Sequence, residues 1–576
     1  MKNIKKVISE MLAEAIPAAF PGGDVPASEL AGMFEYPPDN TLGDLALPCF
    51  RLSKSLRRPP VMIASALADS LKDRAEGSPV ASAAAVNGYL NIKLCDTYLA
   101  SHVLPEILEK GEDYGRPEGY AGQNIVLDYS SPNVAKPFHI GHLGTTVIGH
   151  SLKLLFEFAG CKCVGINYLG DWGTQFGKLI VAFRHWGSRD EVEKREIDEL
   201  VDLYVKFHTE AEKDPALETE AREEFRKLEQ GDEENLALWR WFVDISLKEY
   251  QKTYAQLGIT FDTYSGESFS RQKAPAQVEK LRESGLLKID DGASIVDLEA
   301  YGMPPCMILK TDGSTIYAVR DIAAAVYRKE TYDFDKCIYV TSAGQKLHFA
   351  QWFKVVELMG YEWANQLVHV AYGTVSINGE KLATRTGNVI LLKDLFAQAI
   401  EKVGAIIDEK SPNLANREEV AEAVGVGAII FYYLSGSRMR DINFILEDAL
   451  SFDGNTGPYV QYTYARTCSV IEKAGGKGNY DISKFKVTAP EESALLKVLC
   501  RFRETLESAL AEYEPFYVTR FIVELAGAYN RFYHNCRILG EENAEVRSTR
   551  LALNEAVNSV LGRAMGLICM RKMTKI

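Results

Sequence analysis

Residues 128–142 read Asp-Tyr-Ser-Ser-Pro-Asn-Val-Ala-Lys-Pro-Phe-His-Ile-Gly-His. An apolar strand core at 125–127 precedes them. A helical pattern over 140–158 follows, with Leu143, Val147, Leu154 and Leu155 near one face. A polar turn between a strand and the helix after it is where open α/β sheets place their ligands. His139 and His142 are three residues apart at the helix start, so their imidazoles share a face beside unpaired N–H groups and the positive end of the helix dipole. Such a face suits phosphate. Gly141 carries no side chain, which lets a flat ring approach the backbone.

Outward from that turn, strand and helix patterns alternate. Strand signals recur at 163–169, 337–341 and 367–372, with a helical segment at 345–360 between the last two. This order predicts a parallel α/β sheet split by a long insertion, expected at about 183–260. A small α+β unit is expected over 1–115. It opens with an amphipathic helix and has a strand near 86–94, and a glycine-rich loop at 111–122 closes it. From 421 to 576 long helical patterns predict an all-helical unit, so the middle unit spans 116–420.

The chain has 576 residues with net charge −14, which argues against a protein that coats nucleic acid with its whole surface. The charge is uneven. Residues 187–256 hold 11 basic and 20 acidic residues, net −9, whereas 461–576 hold 17 and 13, net +4. Any RNA contact should therefore favour the C-terminal part. No apolar run is long enough to cross a bilayer. The ten cysteines form no CxxC pair, so neither a disulfide framework nor a structural zinc site is expected, and the reducing cytoplasm is the expected compartment.

With these residues in view, the chain resembles the class I aminoacyl-tRNA synthetases, whose HIGH motif binds ATP, and more narrowly the arginyl-tRNA synthetase family. The resemblance rests on SSPNVAKPFHIGHL at 130–143, NYLGDWGTQFG at 167–177, YSGES at 264–268, YAVRDIAAA at 317–325 and NTGPYVQYTYAR at 455–466. It implies a Rossmann-like catalytic domain with an insertion, a small N-terminal domain that contacts tRNA and an all-helical anticodon-binding domain. The implied reaction is ATP-dependent ligation of L-arginine to tRNA(Arg) through an arginyl-adenylate, with Mg²⁺ arriving on ATP and the chain acting as a monomer. In this family activation of arginine usually needs bound tRNA.

The second class motif, KMSK, matches Lys381-Leu-Ala-Thr384-Arg385-Thr-Gly-Asn388, with Thr384 in place of the second lysine. Adenylation builds charge on the α-phosphate and on departing pyrophosphate, so two cations are wanted there. Lys136 supplies the missing one. The catalytic set implied is Lys136, His139, His142, Lys381 and Arg385. His139, Gly141, His142, His348, Lys381 and Thr384 are expected on ATP, and no resident metal ligands are expected. A guanidinium is best held by bidentate carboxylate pairing. The resemblance gives that role to Asp321, with Tyr317 one turn earlier and Glu267 as a second carboxylate. It gives the α-amino and α-carboxylate groups to Asp128, Ser131, Asn133 and Gln345. Read singly, Asp321 has Arg320 and Arg328 as alternative partners, Glu267 has a turn to cap, and His348 has a buried packing role. For tRNA the candidates are Arg466, Arg531, Arg537, Arg571 and Lys572, with Tyr459, Tyr462 or Tyr464 for stacking.

Overall fold

The computed structural model describes residues 4–39, 41–72, 77–136, 138–381 and 390–576, the side chain of Lys381 excepted. At its centre is a parallel sheet. β1 (Asn124–Asp128) leads through the quoted turn into α1 (Leu143–Phe158) and then to β2 (Lys162–Ile166). The chain passes through α2 (Glu233–Leu257), α3 (Glu267–Glu283) and α4 (Tyr317–Tyr332) before β3 (Lys336–Ser342), α5 (Lys346–Leu358) and β4 (Leu367–Tyr372). The strands lie in the order β4-β3-β1-β2, and every pair is parallel.

Alternate residues of β1 serve two cores. Ile125 and Leu127 join the core that includes α1, whereas Val126 packs with α4 and α5 against the other face. The two faces are covered by successive crossovers, so the chain reverses direction across the sheet between β1 and β3. The carboxyl ends of those two strands open the crevice.

Between β2 and β3 the chain adds five helices spanning 174–257, then α3, and then a three-stranded antiparallel sheet of Leu287–Asp290, Ala293–Val296 and Cys306–Leu309. The insertion is thus helical where acidic, as expected, and is followed by a second β element that the reading of the sequence does not contain. The helical unit includes the long helices Arg417–Leu434, Gly457–Lys473, Phe516–Asn535 and Ala544–Leu567. One short strand, Ile442–Phe444, pairs in parallel with Val375–Ile377 and returns the chain to the sheet-bearing part before the later helices begin.

In the N-terminal unit, the expected single strand near 86–94 is instead a hairpin of Val80–Val86 and Tyr89–Leu94. Asn87 and Gly88 turn it, at φ +50° and +81°. Asn-Gly suits such a tight turn because both central positions need positive φ. The ladder is completed by Leu45–Pro48.

Candidate active site

The turn after β1 is conformationally strained. Ser130, Ser131 and Ala135 sit at φ +77°, +38° and +58°, a region that costs a residue with a Cβ roughly 1–3 kcal/mol. The surroundings hold it there. Ser130 N–H donates to Thr145 Oγ1 at 3.0 Å, and its hydroxyl bonds Thr146 Oγ1 at 2.8 Å. The loop also pairs with the GDWG stretch: Val134 N–H reaches Gly170 O at 3.2 Å and Gly170 N–H reaches Pro132 O at 3.1 Å. A Cβ on Gly170 would lie 2.0 Å from Asn133 Oδ1, so a larger residue there would displace the Asn133 side chain.

His139 caps the helix start. Its Nδ1 accepts Gly141 N–H at 3.1 Å, and His142 Nδ1 accepts His139 N–H at 3.2 Å. Two N–H groups expected to be unpaired are therefore taken by the imidazoles themselves. Burial, with Lys136 nearby, lowers His139 to about 4. Burial, then His139 and Lys136, lowers His142 to about 3. Both rings are neutral at pH 7. With each Nδ1 lone pair already used, the ring proton is on Nε2, which gives two neutral donors side by side, ring centres 3.9 Å apart. His142 also stacks on Phe138 at 5.1 Å.

The chain beyond the Lys381 stretch meets this motif directly. Ile140 N–H donates to Ile390 O at 3.2 Å and Leu392 N–H to Phe138 O at 2.9 Å. Lys381 ends the strand Glu380–Lys381. Its side chain, and all of Thr384 and Arg385, lie outside the described residues.

On the α4 face of the sheet, Asp128 is level with Tyr339 of β3. Arg328 covers them and donates to Asp128 Oδ2 at 2.7 Å, with Ser131 Oγ donating to the other oxygen at 3.1 Å. Burial raises the Asp128 carboxyl, and Arg328 opposes that rise. Arg328 lies 5.3 Å from both the Tyr168 and Tyr339 rings. The expected α-amino partner is thus already ion-paired within the fold, and Arg328, absent from the sequence-derived set, is its partner. The only sequence signal for Arg328 is its place two turns after Asp321 on the same helix face.

Asp321 bonds neither Arg320 nor Arg328. Its Oδ2 meets His348 Nε2 at 2.6 Å. The residue expected on the nucleotide side therefore faces the carboxylate expected on the guanidinium side. Glu267 opens α3, where Arg320 Nη1 reaches it at 3.5 Å. Burial raises Glu267 to about 7; Arg320 opposes this, while Asp321 and Asp171 add to it. Asp171 anchors the start of α3, accepting Ser268 N–H at 2.8 Å and the Ser268 hydroxyl at 2.6 Å. Asp171 thus takes the capping role, and the Glu267 carboxylate stays on the crevice side. Tyr317, the first residue of α4, is 64% exposed. Asn133, Lys136 and Gln345 are exposed. Trp172 packs edge-on against Trp239 at 5.5 Å, a packing role.

The turn after β1 thus carries phosphate-type donors, and Asp321, which acts on Glu267, also acts on Asp128 at the start of that turn. A family model described as tRNA synthetases class I (R), catalytic domain, matches residues 103–446. The chain belongs to the arginyl-tRNA synthetase family. Two further models of that family's parts match: the arginyl tRNA synthetase N terminal domain at 2–94 and the DALR anticodon binding domain at 460–576. An arginine–tRNA ligase from Alkaliphilus metalliredigens is 47% identical over 99% of each chain, and one from Halothermothrix orenii is 45% identical over 99% of each. The solved Thermus thermophilus arginyl-tRNA synthetase superposes with a TM-score of 0.82 at 25% identity, covering 99% of this chain and 100% of its own. Membership makes the chain a class I aminoacyl-tRNA synthetase, an enzyme that charges tRNA with arginine.

Among the tRNA candidates, Arg571 pairs with Glu422 at 3.0 Å and Lys572 with Glu112 at 2.6 Å, so both are engaged within the fold. Tyr464 is buried. Arg466 lies over Tyr462 at 5.1 Å and over Tyr533 at 4.8 Å. Those two rings are 45% and 37% exposed. Tyr533, which the sequence reading passed over, is thus as available for stacking as Tyr462.

Proposed function

We propose that the crevice beside β1 and β3 adenylates L-arginine with ATP and transfers it to tRNA(Arg). The supporting observation is that Asp321 is close enough to raise both Glu267 and Asp128, the residue that begins the turn leading to the neutral His139–His142 pair. Asp321 and Glu267 receive the guanidinium, with Tyr317 beside it. Arginine entry requires His348 to leave Asp321 or to keep one oxygen while the ligand takes the other. Ser131, Asn133 and Gln345 meet the amino-acid backbone groups, and Asp128, fixed by Arg328, supplies the negative charge there.

The arginine carboxylate attacks the α-phosphate in line and pyrophosphate departs. The Nε2–H groups of His139 and His142, with Lys136, Lys381 and Arg385, offset the charge that develops, and Thr384 and Gly141 complete the ATP contacts. Mg²⁺ enters on the ATP phosphates. The tRNA terminal hydroxyl then attacks the adenylate. The reading divides the chain into a tRNA-contacting unit at 1–115, a catalytic unit at 116–420 and an anticodon-binding unit at 421–576. Arg466, Arg531 and Arg537, with Tyr459 and Tyr462, face the anticodon arm. The enzyme acts as a monomer in the cytoplasm, where its substrates are; among the described residues no helix is long and apolar enough to cross a membrane. Pyrophosphate exchange that requires both arginine and tRNA tests the reading. Exchange without arginine, or none under any condition, defeats it.

A further inference from the structure

The acidic insertion ends in α2, and one face of that helix is turned onto the signature loop. Ser246, Tyr250 and Tyr254 are four residues apart, which places them in line, and all three are buried. Ser246 Oγ accepts Ala135 N–H at 3.1 Å while donating to Phe242 O in its own helix. The Tyr250 hydroxyl lies 2.7 Å from both Asn133 O and Lys136 O, so its one proton is shared between two loop carbonyls. The Tyr254 hydroxyl meets Ser130 Oγ at 2.7 Å and accepts from Asn167 Nδ2 at 2.8 Å. Further along α2, Trp239 Nε1 donates to Asp171 O at 2.7 Å. One helix face therefore grips the loop of residues 130–136, two of whose left-handed residues, Ser130 and Ala135, it bonds directly, and also the GDWG loop that anchors α3.

We propose that α2 is a positioning element for adenylation, with Tyr250 its principal residue: its hydroxyl holds the strained loop in the shape that presents Lys136 and the His139–His142 pair to ATP. The inference rests on the proposed role of that loop. It assigns a purpose to the insertion, which carries none of the proposed substrate-binding residues. Small displacements of reacting groups lower rates steeply, so loss of this restraint acts on the chemical step before it acts on tRNA affinity.

The test is pyrophosphate exchange with saturating tRNA on Tyr250→Phe, whose ring retains its packing on Phe138, 5.6 Å away. The expected result is a ten- to hundredfold fall in kcat, with tRNA Kd within twofold of the parent and a thermal midpoint lowered only by the roughly 1 kcal/mol that one lost hydrogen bond costs. Ser246→Ala should shift kcat in the same direction, which keeps the test open should one variant fold poorly. Adding Ala135→Gly to Tyr250→Phe should restore several-fold of the rate, because glycine adopts φ +58° without strain. A kcat within twofold of the parent in both single variants overturns the proposal. So does a fall matched by equal losses of tRNA affinity and thermal midpoint, without rescue by Ala135→Gly. His142→Ala, assayed in parallel, separates the two levels: if it leaves exchange intact, the reading of the site itself is wrong.

Discussion

Glu267 ionises near neutrality in the free protein, at about 7, and this has a direct consequence for arginine binding. A cationic guanidinium wants the carboxylate charged. Below pH 7 the free site holds a proton that arginine must expel, so KM for arginine should rise as pH falls from 8 to 6, approaching about tenfold per unit, and level off above 7. The linked effect on folding has the opposite sense. A carboxyl raised by burial destabilises the unliganded fold as pH climbs from its ordinary value through 7. Glu267→Gln should flatten the KM profile; a profile that is unchanged in that variant assigns the titration to another group. Asp321→Asn should raise KM for arginine by about two orders of magnitude, since charge-assisted pairing is lost, with kcat affected less. An unchanged KM would put the guanidinium elsewhere. Many of the groups in this crevice were legible in the sequence because short motifs carry them. Their partners were not: Asp321 meets His348 and Asp128 meets Arg328 across 27 and 200 residues of chain, and local spacing says nothing about such distances.

At the scale of elements, α1 depends on close approach. A Cβ on Gly149 would lie 2.3 Å from the buried Tyr129, and one on Gly144 would lie 2.3 Å from the Tyr433 hydroxyl. Gly149→Ala should therefore lower stability by about 1–3 kcal/mol, read as a lower urea midpoint, and should slow exchange, because His142 is the N-cap of α1. A midpoint equal to the parent's would mean that helix and strand separate without penalty. The parallel strands and their helices were legible because short apolar runs alternate with period-3.6 patterns from residue 124 onward. The alternation over 90–94 predicts one strand, whereas the Asn87-Gly88 pair just before it is the turn signal of the hairpin. The small sheet at 287–309 was missed because its strands are only four residues long, too short for a period to register.

Across the whole molecule, the N-terminal unit rests on the helical unit. Buried Lys5 reaches Glu504 at 2.5 Å, and the Tyr36 hydroxyl meets the same carboxylate at 2.7 Å. Lys497 pairs with Asp44 at 3.0 Å, and Arg503 and Lys572 hold Glu118 and Glu112 of the connecting loop. Glu504→Gln should weaken this junction by about 2 kcal/mol and hasten protease cleavage near residues 111–122, with arginine-dependent exchange less affected than tRNA binding. Equal cleavage rates in variant and parent would show that the junction is held by apolar packing alone. The three-part layout was legible from the glycine-rich loop at 111–122 and from the fading of strand signals after residue 420. This junction was not, because it joins segments some 500 residues apart.

The same junction imposes an order on biosynthesis. A ribosome adds roughly 5–20 residues per second, so Lys5 and Tyr36 leave the exit tunnel tens of seconds before Glu504 is translated. Throughout that interval the nascent N-terminal unit displays a face whose counterpart has not yet been made.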